Sequence, residues 1–169
     1  MTGEGSPIPM EVVGVRVELP SNQPIVLLRE EGGSRYLPIW IGANEATAIA
    51  TAMEGVQPPR PLTHDLMRSV LDAVGALAVR VVITEMRDSV FFADLTIDAS
   101  GEEVKVSSRP SDAIALAVRT GTPVFAAPAV LDEAAVHFEE DDEEEEVARF
   151  REFLEEATVE DFLGGEQNQ

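Results

Sequence analysis

An α+β fold is predicted by three observations. Short apolar segments of strand type are separated by tight turn signals, the pattern of antiparallel meanders. Each group of three such segments is followed by an alanine-rich stretch of helical periodicity. The two groups also lie in register. When Ala48-Ile49-Ala50-Thr51-Ala52 is laid on Ala113-Ile114-Ala115-Leu116-Ala117 without a gap, Pro58 falls on Pro123 and Ile25-Val26-Leu27-Leu28 falls on Val90-Phe91-Phe92-Ala93. Constant register across three elements reads as an internal duplication of a β-β-β-α unit. The expected architecture is two antiparallel meanders joined in one sheet system, with helices covering one face.

The strands follow in order. Residues 11–19 alternate in part, with Val13, Val15 and Val17 on one side and Arg16 and Glu18 on the other. Pro20-Ser21-Asn22-Gln23-Pro24 is a turn, 25–28 a short apolar strand, Glu31-Gly32-Gly33-Ser34 a hairpin loop and 36–41 a third strand. The second group is 79–86, 90–97 and 104–106, with turns at Arg87-Asp88-Ser89 and Ala99-Ser100-Gly101. Trp40, inside an apolar strand, is expected in the core.

The helical stretches follow from spacing. Residues 44–54 carry Ala48, Ile49, Ala52 and Met53 on one stripe, and 111–119 carry Ile114, Ala115 and Val118 before the stop at Gly121. Between the two groups, 63–74 places Leu66, Met67, Val70, Leu71 and Val74 at helical spacing, with Thr63 as the expected N-cap. Residues 123–126 form a short strand and 129–136 a further helical turn or two. Val147, Phe150, Phe153, Leu154 and Ala157 mark an amphipathic helix, and Phe162 and Leu163 a second docking segment.

Composition narrows the class. Across 169 residues there is no cysteine, which excludes disulfides and thiolate metal sites and fits a reducing compartment. No apolar run approaches the ~20 residues of a membrane span, and residues 1–9 lack the basic and apolar regions of a signal peptide. A cytoplasmic protein without membrane partners is expected. The net charge of −20 is uneven, with more than half of it past residue 128 and an unbroken acidic run over 139–146. The organisation reads as a flexible N-terminus (1–9), a domain (10–136), an acidic linker (137–146) and C-terminal docking helices (147–164). The acidic run suits a solvated segment or a decoy that competes with nucleic acid for basic residues. Short exposed strand edges make a homo-oligomer a reasonable expectation.

Two proline-bounded segments carry the chemistry: Pro59-Arg60-Pro61-Leu62-Thr63-His64-Asp65 and Ser108-Arg109-Pro110-Ser111-Asp112-Ala113. Each joins an arginine, a proline, a hydroxyl residue and an aspartate, and each opens a helix. Helix starts favour anions because their free N–H groups and dipole point outward. A neighbouring arginine adds a planar fork suited to phosphate. The same residues also have structural uses. Asp112 can cap its helix and pair with Arg109, and acids such as Glu45 and Asp65 are favoured in a first helical turn regardless of function.

Leu37-Pro38-Ile39-Trp40-Ile41-Gly42 followed by Glu45-Ala46, then the two segments above in this order and spacing, resemble the bifunctional nuclease domain family over about residues 10–130. The resemblance implies a compact α+β fold with an internal repeat, a tendency to oligomerise, and hydrolysis of both DNA and RNA. One departure stands out. The family often has an aspartate two residues before the arginine of the second segment, and here that position is Ser107.

Phosphodiester hydrolysis needs an activated water and stabilisation of developing negative charge, commonly supplied by divalent ions on carboxylates. The carboxylates available for a hard ion such as Mg or Mn are Glu45, Asp65 and Asp112. His64 and Asp65 are the candidate catalytic pair, and Arg60, Arg109 and Ser111 the candidate phosphate ligands. With only His64 and His137 present, a three-histidine zinc site is impossible. The alternative is a non-catalytic oligomeric module that binds an anionic metabolite or a protein partner and is modulated by its acidic tail.

Overall fold

The computed structural model describes residues 5–138 together with Ala148 and Arg149. The chain divides into two units, residues 1–136 and 137–169. The first holds β1 (Ile8–Glu18), β2 (Gln23–Glu30), β3 (Arg35–Trp40), α1 (Ala43–Met53), α2 (Thr63–Ala73), β4 (Ala76–Arg87), β5 (Val90–Ala99), β6 (Glu102–Ser108), α3 (Pro110–Thr120), β7 (Val124–Ala126) and α4 (Pro128–Ala134); β8 is Val136–His137. The fold is mixed α+β, with one sheet of eight strands in the order β6-β5-β4-β7-β1-β2-β3-β8.

Two antiparallel meanders, β1-β2-β3 and β4-β5-β6, are joined through the three-residue β7. It runs antiparallel to β1 and parallel to β4. That pairing explains why β1 starts at Ile8, before the alternation becomes visible. Ile8, Pro9 and Met10 sit opposite Ala126, Phe125 and Val124, so backbone bonding rather than side-chain pattern sets the boundary. The hairpins carry the turn chemistry their sequences call for. Asp88 and Ser89, then Ser100 and Gly101, all have positive φ, matching the right-handed twist of the flanking strands.

One face of the sheet holds the core. Met10, Val15, Val26, Leu28, Leu37, Ile39, Val81, Ile83, Ala93, Leu95, Val124 and Ala126 line it, and Ala46, Ala48 and Ile49 of α1, residues 113–117 of α3 and Val130 and Leu131 of α4 pack on it. Alanines at 46, 48, 113, 115 and 117 let α1 and α3 approach the sheet and each other closely. Gly121, with φ +69, ends α3 in the left-handed conformation that a side chain would strain.

Four sequence expectations are corrected. Trp40 is not core but 52% exposed, because it lies on the opposite face of β3 from Ile39 and its indole N–H donates to Glu18 Oε2 at 2.9 Å. Met53 is exposed at the end of α1. Thr63 is the first helical residue of α2 rather than its cap: the N-cap is Leu62, whose backbone N–H donates to Asp65 Oδ2 at 2.9 Å. On α2, only Met67 and Leu71 pack against the core, leaving Leu66, Val70 and Val74 exposed. The expectations for 139–146 and for Phe150, Phe153, Leu154, Phe162 and Leu163 fall outside the described residues.

The packing makes a contrast that can be measured. Ile114→Ala should destabilise the domain by about 2–5 kcal/mol, whereas Leu66→Ala on the free protomer should stay within about 0.5 kcal/mol, read as shifts in urea midpoint. Equal costs would mean that the α2 stripe is covered.

Candidate functional site

The site forms where the first turns of α1, α2 and α3 meet. Gly42 caps α1, and the Glu45 carboxylate folds over it, filling the space a side chain at 42 would need. Arg109 is the N-cap of α3 and Pro110 its first residue, fixing the backbone there without sacrificing a helical hydrogen bond. His64, in the first turn of α2, is 7% exposed.

These starts are tied by a chain of charged groups. His64 Nε2 lies 2.9 Å from Asp112 Oδ1. An ionised carboxylate only accepts, so Nε2 carries the proton and donates. Arg109 Nε donates to Asp112 Oδ2 at 2.9 Å, and Arg109 Nη2 donates to Glu45 Oε1 at 2.9 Å. The two proline-bounded segments, far apart in sequence, therefore meet at Asp112. The Glu45 and Asp112 carboxylates in turn raise the Arg109 pKa above its ordinary value, with the Asp112 hydrogen bond the larger cause.

Asp65 belongs to a neighbouring pair. Its Oδ1 accepts from Arg119 Nε at 2.7 Å, and Arg119 Nη1 also donates to Ala115 O at 2.8 Å. This contact fastens the end of α3 to the start of α2. The Arg119 guanidinium, first of all, and the Leu62 N–H hold the Asp65 carboxyl below its ordinary pKa, with His64 adding a smaller push the same way. Arg60, of the same segment as Asp65, is exposed, and the arginine that pairs with Asp65 is Arg119. Arg119 was invisible to sequence reasoning because a basic residue in a last helical turn is already explained by the helix dipole. Ser111 is 6% exposed and lines a cleft with Arg109, Pro110 and Trp40. Ser107 sits on β6 opposite Asp94, with no side-chain bond to the cluster.

A resident divalent ion does not fit this arrangement. Both oxygens of Asp112 and both of Asp65 already accept hydrogen bonds, and Glu45 Oε1 faces Arg109. Among the described residues, no three His, Asp or Glu side chains come together as a cation cage. Glu45 and Asp112 do converge, but on a guanidinium.

The family model of the bifunctional nuclease domain matches residues 26–139, which includes every residue of this cluster. The chain belongs to the bifunctional nuclease domain family. An uncharacterized protein of Mycobacterium tuberculosis is 47% identical over 161 residues, covering 90% of this chain and 96% of that protein. Bifunctional nuclease 2 of Arabidopsis thaliana is 32% identical over 112 residues, 63% of this chain and 34% of the plant protein. Bifunctional nuclease 1 of Oryza sativa subsp. indica is 31% identical over 104 residues, 59% and 31% respectively. This chain thus matches about a third of the length of each plant relative. No described helix is long and apolar enough to cross a membrane.

The Asp65–Arg119 pair has a pH signature. Because its folded pKa is depressed, Asp65 contributes stability that is fully present above the unfolded carboxylate value of about 4 and is lost as pH falls through the folded value. Asp65→Asn should therefore flatten the fall in urea midpoint below about pH 4. An unchanged acid limb in that variant would remove Asp65 from the account.

Proposed function

We propose that this domain hydrolyses phosphodiester bonds of DNA and RNA at the His64–Asp112–Arg109 cluster. The observation that carries the reading is the 2.9 Å bond between His64 of the first segment and Asp112 of the second, in a chain of this family. Two segments that each look like a helix cap separately make one acid–base and cationic constellation together.

The roles follow from the contacts. Asp112 fixes the tautomer and orientation of His64 and stabilises the imidazolium that forms when the ring takes a proton. With Nε2 committed to Asp112, Nδ1 is the proton acceptor. It has no hydrogen-bond partner among the described residues. The ring is 7% exposed, so a substrate reaches it only when the packing around it opens. Arg109 uses Nε and Nη2 on carboxylates, leaving Nη1 for a phosphate oxygen. Glu45 and Asp112 hold that guanidinium in place, while exposed Arg60 serves the adjacent backbone phosphate. Asp65 acts through Arg119 as a positioning residue for α2. The reading gives no step to a metal held by Glu45, Asp65 and Asp112 as they stand.

A second reading is favoured by one observation: the cluster's carboxylates are already paired, as in a purely structural network. On that reading the domain is an oligomeric module for an anionic ligand or protein partner, with the acidic tail as a competitor. The occurrence of β-β-β-α twice, with β2 corresponding to β5 and α1 to α3, supports descent by duplication in either case. Superposition of the two halves is the check.

Cleavage separates the two readings. Rigorously purified protein should cut single- and double-stranded DNA and RNA substrates. His64→Ala and Asp112→Asn should each lower the rate by ~10²–10⁴ with unchanged circular dichroism. Equal cleavage by both variants would place the activity elsewhere or in a contaminant and leave the module reading.

A further inference from the structure

β6 is a margin of the sheet. Only β5 pairs with it, and its outer row of backbone N–H and C=O groups has no strand beside it. Such an edge is a template for another strand unless something blunts it. This one has no proline, pairs with β5 without a bulge, and is exposed from Glu102 to Ser107. Its two faces differ. Val104 and Val106 lie opposite Ile97 and Leu95, so they share the face that the helices cover, yet they are 45% and 42% exposed. Glu103, Lys105 and Ser107 belong to the other face.

The uncovered apolar surface continues onto α2. Helix α1 packs on β1 and β2, α3 on β4 and β5, and α2 on α3 and β4, so α3 lies between the other two. α2 is therefore the outermost helix on the side of the second meander. Asp65 and Arg68 turn toward α3, where both bond Arg119. With about 3.6 residues per turn, Leu66 and Val70 fall on the opposite flank, away from α3 and toward the β6 margin. Both are exposed, as is Val74.

Charge selects what fits this margin. Lys105, the only lysine of the chain, makes no hydrogen bond or ion pair among the described residues. Glu103 gives Oε2 to Arg80 at 2.8 Å and keeps Oε1 in reserve. When β6 is laid antiparallel on its own copy about a two-fold axis at Val104, Glu103 faces Lys105 on both sides of the axis and Val104 faces Val104. An axis at Glu103 or at Lys105 sets like charges opposite each other, and one at Val106 leaves Lys105 facing Ser107. A lysine on an edge strand repels most approaching strands. This strand supplies the matching acid itself, in one register.

We propose that a second copy of this chain docks here, β6 against β6, antiparallel about Val104. The sheet then runs on from one protomer into the next, and the exposed stripes of the two α2 helices flank the seam on one face. The contact uses the same patch on both protomers, so it closes as a dimer. Glu102 falls opposite Val106 in this register, at the strand end, where its carboxylate still reaches water. The dimer is independent of which reading of the His64–Asp112–Arg109 cluster holds.

Sedimentation of the full-length protein over a wide concentration range tests the contact, with circular dichroism confirming that each variant is folded. The parent should sediment as a dimer that dissociates on dilution. Lys105→Glu and Glu103→Lys each turn both cross-seam pairs from attraction to repulsion and should weaken the dimer by about tenfold or more. An equal mixture of these two variants should dimerise as the parent does, because each then meets its opposite charge across the seam. The chain has no cysteine, so a single introduced one reports the register. Val104→Cys should oxidise to a disulfide-linked dimer, whereas Val106→Cys, roughly 13 Å from its own copy across the seam, should stay unlinked. Protein that remains monomeric at every concentration overturns the proposal. So does a dimer that ignores both charge variants, a mixture that stays dissociated, or a Val106→Cys protein that cross-links as fast as Val104→Cys.

Discussion

Asp112 accepts from two donors that approach it along different elements. His64 comes from the first turn of α2, and Arg109 comes from the cap of its own helix α3. Removing this carboxylate would leave a buried imidazole and a guanidinium without their shared partner, with Glu45 as the remaining carboxylate on Arg109. Asp112, itself only partly exposed, therefore joins the starts of α2 and α3, and Arg109 carries the link on to α1 through Glu45. Its worth to stability is modest at the exposed Arg109 end and larger at the buried His64 end, because water screens the first and not the second.

The sheet provides the geometry that makes this meeting possible. Through β7, the second meander lies beside the first, so the two helices that follow each meander pack side by side on one face. Small residues on α1 and α3 bring Glu45 and Arg109 within bonding distance. Arg119 then fastens the other end of α3 to α2 through Asp65, so α2 is held at its start by two separate contacts: His64–Asp112 and Asp65–Arg119.

The meanders, the helices and the two chemical segments were legible in the sequence because they rest on local rules: turn residues, helical spacing and proline at a helix start. The missed features depend on what lies across space. Trp40 reads as core in a strand of apolar residues, yet its side-chain parity puts it on the face away from the helices. Leu66, Val70 and Val74 have the spacing of a buried stripe, and only the position of α2 relative to the sheet shows that Met67 and Leu71 are the residues inside. Nothing in the sequence points from Asp65 to Arg119, which lies 54 residues away. The fold chooses Arg119 because α3 ends where α2 begins. Similarly, Glu45 and Asp112 read as metal ligands until Arg109 is found between them.

The central claim is that His64 and Asp112 act as one unit in cleavage rather than as two caps that happen to touch. A double-mutant cycle of His64→Ala and Asp112→Asn, read in kcat/KM on a single-stranded substrate, tests it most directly. Because Asp112 also holds Arg109, the double variant should be slower than the His64→Ala protein, but by much less than the product of the two single losses. Losses that multiply, or single variants that cleave as the parent does, would contradict the account.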